Sequence, residues 1–188
     1  LNLDADGVAV SSDFYLRLAG DGGKMLKGLI PYTTAHPTPH MISSGPLANG
    51  TYKIINRNSG LALDASGQAT ANGTAIQQWG YNGGGNQRWI VTNIGSGQYS
   101  ITGVQSNRSL DVTAQSSADG AKIELYDSNN GDNQKWIITA TSGGYYSIKG
   151  VQSNKMMEVA GNSTAAGALV QQWSSTGANS QQWAFQTP

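Results

Sequence analysis

Gln87-Arg88-Trp89, Gln134-Lys135-Trp136 and Gln181-Gln182-Trp183 are one triplet written three times, each 47 residues after the last. The same step of 47 carries Tyr52 to Tyr99 and Tyr146, Ile54 to Ile101 and Ile148, Leu63 to Leu110 and Met157, and Ile76 to Ile123 and Val170, without a gap. Apolar residues therefore fall on apolar residues, as positions of a shared core should. Turn positions keep the step as well. Gly60, Asn107 and Asn154 are the residue types that best tolerate positive φ. Asn72-Gly73, Asp119-Gly120 and Ala166-Gly167 mark a hairpin turn in each unit.

Between these turns the chain alternates over short stretches, as in Tyr52-Lys53-Ile54, Tyr99-Ser100-Ile101 and Tyr146-Ser147-Ile148, which reads as half-buried strand. No amphipathic helix competes. Each unit offers about four strands, and three units, about 50–96, 97–143 and 144–188, offer about twelve. One unit of this length cannot bury its own apolar face, so the three must share a core about a pseudo-three-fold axis. The expected fold is all-β, a β-trefoil over residues 47–188. Residues 1–46 stand outside the repeat. Phe14-Tyr15-Leu16-Arg17-Leu18, Asp21-Gly22-Gly23 and Lys24-Met25-Leu26 suggest a β-hairpin, and Pro31, Pro37, Pro39 and Pro46 suggest an extended connector. This segment is expected to be the end of an upstream module, an extension packed on the trefoil, or an ordinary N-terminal arm.

Composition excludes several functions. Eleven Lys and Arg balance eleven Asp and Glu over 188 residues, with no basic cluster, so neither nucleic acid nor an anionic membrane is the expected partner. Abundant Gly, Asn, Gln, Ser and Thr suit recognition of neutral hydroxyls. With no cysteine, no redox compartment can be inferred. No apolar run reaches membrane-span length, and Leu1-Asn2-Leu3-Asp4 lacks the regions of a signal peptide. His36 and His40 are four apart, but the intervening prolines forbid the helix that would align them on a metal. A glycosidase needs two carboxylates converging at about 5 to 9.5 Å, whereas the repeated acids here belong to different units. No catalytic triad, P-loop or dinucleotide fingerprint is present. Neither catalysis nor a cofactor is expected of these residues.

The threefold Gln-x-Trp with an upstream Leu-Asp-Val-like strand resembles the ricin-type β-trefoil lectins and carbohydrate-binding module family 13, over about three quarters of the chain. That resemblance implies that Trp89, Trp136 and Trp183 are core residues and that the sugar sites lie nearby on the surface. Carried over by position, it puts a first site at Asp64, Gln77, Trp79, Asn82 and Asn86. The second comprises Asp111, Tyr126, Asn129 and Asn133, with Glu124 where the first has Gln77. The third keeps Gln171 and Trp173 but has Glu158 for the aspartate and Ser180 for the asparagine. A carboxylate can accept from two adjacent sugar hydroxyls, an aromatic face can cover the C–H side of a pyranose, and amides add donors and acceptors. The competing reading makes Asp64 and Asp111 strand-end aspartates bonded to their own backbone, and Trp79 and Tyr126 ordinary packing residues. Recurrence of the set at fixed offsets favours sugar, with the first site strongest and the third weakest.

The implied function is non-catalytic, multivalent binding to a glycan or polysaccharide containing galactose, xylose or arabinose, by a secreted protein. One alternative is that the chain is the C-terminal part of a larger secreted glycoside hydrolase, with an upstream catalytic domain. Another is a trefoil used for protein contact.

Overall fold

A computed structural model describes residues 47–188. The hairpin and connector expected within residues 1–46, and the pair His36 and His40, lie outside the described residues.

The repeat folds into twelve strands with short 3₁₀ turns and no α-helix among the described residues. The first unit contains β1 (Gly50–Asn56), β2 (Ala62–Ala65), β3 (Ile76–Trp79) and β4 (Trp89–Gly95). The second contains β5 (Gln98–Gly103), β6 (Ser109–Val112), β7 (Ile123–Tyr126) and β8 (Trp136–Ala140). The third contains β9 (Tyr146–Gly150), β10 (Met156–Val159), β11 (Val170–Trp173) and β12 (Gln182–Gln186).

The first and last strands of each unit close a six-stranded antiparallel ring. β1 pairs with β4, β4 with β5, β5 with β8, β8 with β9, β9 with β12, and β12 with β1. Closure leaves no ring strand with an unpaired edge. The remaining strands form three hairpins, β2–β3, β6–β7 and β10–β11. These hairpins touch one another through three bridges, Ala75 to Glu124, Lys122 to Gln171 and Leu169 to Gln77. Because 47 residues separate successive members of each set, the bridges close a cycle of their own. This is the β-trefoil that the repeat predicts.

Its core is the repeat turned inward. Ile54, Ile101 and Ile148, then Leu63, Leu110 and Met157, then Ile76, Ile123 and Val170, are fully buried with Trp89, Trp136 and Trp183. An indole of this kind removes about 150–250 Å² from water, a gross gain of about 4 to 6 kcal/mol before conformational entropy is charged. Two of the three indoles are also anchored, with Trp89 Nε1 donating to Leu63 O at 3.0 Å and Trp183 Nε1 to Met157 O at 3.1 Å. The symmetry breaks where Gln78, Leu125 and Gln172 share a buried position. Gln78 Nε2 donates to Ser163 O and Ala165 O, and Gln172 Nε2 to Ser116 O and Ala118 O, tying each hairpin to a neighbour's turn. The Leu125 side chain cannot donate, and Thr74 Oγ1 donates to Ala71 O instead, at 2.7 Å.

Candidate functional site

The cross-strand register of each hairpin creates the start of a site. Asp64 stands opposite Gln77, Asp111 opposite Glu124, and Glu158 opposite Gln171. One residue beyond each partner's neighbour the strand ends in an exposed aromatic: Trp79 is 46% exposed, Tyr126 42% and Trp173 39%. The 3₁₀ turn before each core tryptophan then brings amides onto the carboxylate, two in the first and second repeats and one in the third.

In the first repeat, Asp64 Oδ1 accepts from Gln77 Nε2 at 2.9 Å, and Oδ2 from Asn86 Nδ2 at 2.8 Å and Gln87 Nε2 at 2.9 Å. A carboxylate offers about four lone-pair positions, so about one remains for an incoming hydroxyl. Asn86 Nδ2 also donates to Ala65 O, and Asn86 Oδ1 is buried without a partner. Asn86 thus sets the carboxylate. Asn82 shapes the loop beneath it: its N–H donates to Gln87 Oε1 and its Oδ1 accepts from Gly84 N–H.

The second repeat copies this with one difference. Asn133 and Gln134 both donate to Asp111 Oδ2 at 2.8 Å, and Asn129 holds the loop through Gln134 and Gly131. Glu124 has no amide proton to give Asp111 Oδ1. Burial pushes the Asp111 carboxyl above its ordinary range, with the charge of Glu124 adding and the bonds from Gln134 and Asn133 opposing. A carboxyl raised in the folded state favours folding most when protonated. Its share of stability is present below the unfolded value and is lost as pH rises through the folded one. Glu124→Gln is expected to supply the missing donor, raise stability near pH 7 by about 1 kcal/mol, and flatten that loss. Thermal melting of both proteins from acid to neutral pH checks it.

The third repeat departs further. Glu158 accepts from Gln171 and Gln181 at 2.9 Å each, while Ser180 Oγ turns away from it to Asn162 Oδ1. Glu158, Gln171 and Trp173 line a cleft of about 330 Å³.

The two tryptophan platforms are built between repeats. A Cβ added at Gly167 would stand 3.5 Å from Trp79 Cζ3, and one at Gly120 3.6 Å from Trp173 Cζ3, so each indole rests on another hairpin's turn. The rims differ in charge. Arg108 and Asp127 pair beside Asn72, and Lys155 pairs with Asp119 beside Ser174, whereas the corresponding residues at the first site are Leu61, Gly80 and Ala166. The residues read from the sequence for the three sites, Ser180 among them, lie in these three groups.

Sequence reading assigned the Gln of each triplet no role. Gln87, Gln134 and Gln181 each bridge the site carboxylate to a backbone carbonyl, of Gly80, Asp127 and Ser174 respectively. Their invariance across three repeats was the available signal. Tyr81, two residues beyond Trp79, has serines at the corresponding places in the other units, and Lys53 Nζ sits 4.7 Å from its ring centre.

Residues 41–126 and 132–188 match the family model described as a ricin-type beta-trefoil lectin domain-like. The chain belongs to the ricin-type β-trefoil lectin family. Among solved structures, a designed three-fold symmetric protein, ThreeFoil, is 37% identical with a TM-score of 0.72, covering 73% of this chain and 99% of its own. An exo-β-1,3-galactanase from Clostridium thermocellum is 38% identical with a TM-score of 0.71 over 74% of this chain, which spans 30% of that enzyme. A ricin B-like lectin from Macrolepiota procera, solved with lactose, shares the fold at 24% identity, with a TM-score of 0.66 over 76% of this chain and 98% of its own. A comparison with curated protein sequences gives no match.

Proposed function

We propose that this ricin-type lectin domain binds neutral, galactose-containing glycans at its three repeat sites and holds polysaccharide through several of them at once. The observation that carries the proposal is the juxtaposition, three times over, of a hydrogen-bonded carboxylate with an exposed aromatic face. The carboxylate takes one hydroxyl at Asp64 and up to two at Asp111 and Glu158, and the ring covers the C–H face of the same pyranose. Galactose is favoured over xylose and arabinose by the 38% identity to a galactanase. One shallow site gives a Kd in the range of about 1 mM, and simultaneous engagement raises avidity by about 10² to 10⁴. Secretion accords with a glycan partner.

A second reading, that this domain serves as the accessory module of a longer glycoside hydrolase, is favoured by the same relative, since the match there spans 30% of the enzyme. Both readings give the domain one task. The test is retention on an insoluble β-galactan. The chain is expected to be held and then released by soluble galactose or lactose, and passage with the void volume contradicts the proposal.

A further inference from the structure

In the first two repeats, the asparagine that holds the carboxylate depends on a glycine two residues before it. A Cβ on Gly84 would stand 2.5 Å from Asn86 Oδ1, and one on Gly131 2.5 Å from Asn133 Oδ1. Such separations do not occur between a methyl and an amide oxygen. The step of 47 puts Ala178 at the glycine position and Ser180 at the asparagine position of the third repeat. The Ala178 methyl takes the room the amide oxygen needs, so the serine is the counterpart of the alanine and not an isolated loss.

The third repeat brings a different amide to the place. Ser180 Oγ donates to Asn162 Oδ1 at 2.5 Å. Asn162 sits on the turn after β10 with φ of 55°, a left-handed conformation that asparagine tolerates well. With Oδ1 committed to Ser180, the orientation of the amide is fixed, and no group among the described residues accepts from Asn162 Nδ2. Asn162 and Thr176 share the lining of the cleft with Glu158, Gln171 and Trp173. Glu158 has only two internal donors, which leaves about two lone-pair positions for hydroxyls.

We propose that the third repeat is a working sugar site rebuilt around Asn162, whose Nδ2 donates to a pyranose hydroxyl that Glu158 also engages while Trp173 covers the ring. Asn162 is then the residue that sets this site's selectivity apart from the other two, where the asparagine before the core tryptophan spends both amide protons on the carboxylate and a backbone carbonyl. This rests on the carbohydrate-binding reading above.

The test follows the indole N–H signals of the ¹⁵N-labelled chain during titration with D-galactose, since Trp79 marks the first site and Trp173 the third. In the wild type both are expected to shift and saturate. Asn162→Ala, a change on an exposed turn, is expected to weaken the Trp173 titration by about tenfold and leave that of Trp79 unchanged. In Ala178→Gly/Ser180→Asn, which installs the arrangement of the first two repeats, the same change at Asn162 is expected to have little effect. An unmoved Trp173 beside a titrating Trp79, or a Trp173 midpoint indifferent to Asn162→Ala, overturns the rebuilt site and leaves carbohydrate binding at the first site standing. Silence of both indoles toward galactose, xylose and arabinose overturns the general reading and this one with it.

Discussion

Truncating the three platforms together, as Trp79→Ala with Tyr126→Ala and Trp173→Ala, is expected to abolish retention on β-galactan by raising the apparent Kd about 10²-fold or more. The size follows from linkage between sites. With one platform removed, two sites still engage the same chain, and the loss is about tenfold. With all three removed, the carboxylates remain but no ring covers the apolar face of the sugar. The rings are about half exposed, so each truncation removes only part of a side chain's burial, about 1 kcal/mol. The core indoles are untouched, and the variant should keep a cooperative melt. A single truncation as damaging as the triple one would mean that one site does all the binding.

Asp64→Ala is expected to cost about 3 kcal/mol of folding stability, well beyond the cost of Asp111→Ala. Asp64 is buried and receives amide bonds from Gln77, Asn86 and Gln87, and Asn86 and Gln87 are themselves buried. Removing the acceptor leaves those donors short of partners in a site water reaches poorly. Asp111 has two such donors and faces Glu124, so its removal also relieves a like-charge contact. Urea unfolding of the two variants gives the comparison directly, and equal costs would contradict this account of the carboxylate. A binding defect in Asp64→Ala has to be separated from this loss of stability, which the platform variants avoid.

The scaffold was legible in the sequence because burial constrains residue type. Ile54, Ile101 and Ile148 line one core, and a 47-residue period in apolar identity follows from three copies of one packing problem. The carboxylate and its cross-strand partner were legible for a related reason, since a fixed offset between two strands fixes which residues face each other. What was hidden depends on contacts between repeats or on a second use of one residue. Nothing in the run around Trp79 announces that its ring lies on Gly167, in another hairpin. Gln87, Gln134 and Gln181 stood in plain view, yet a buried amide that bonds both a carboxylate and a loop looks in sequence like any repeated polar residue. Asn162 escaped notice because its counterparts, Gln68 and Gln115, do not match it, and because its link to Ser180 arises only where Ala178 has displaced the asparagine.

The central claim is one symmetric scaffold carrying three unlike sugar sites, and a crystal structure of the chain with galactose tests it most directly. The account predicts a pyranose stacked on Trp79 with a hydroxyl on Asp64 Oδ1, and a second on Trp173 bonded to Glu158 and Asn162. Galactose bound away from all three aromatics, or absent from them at saturating concentration, would contradict it.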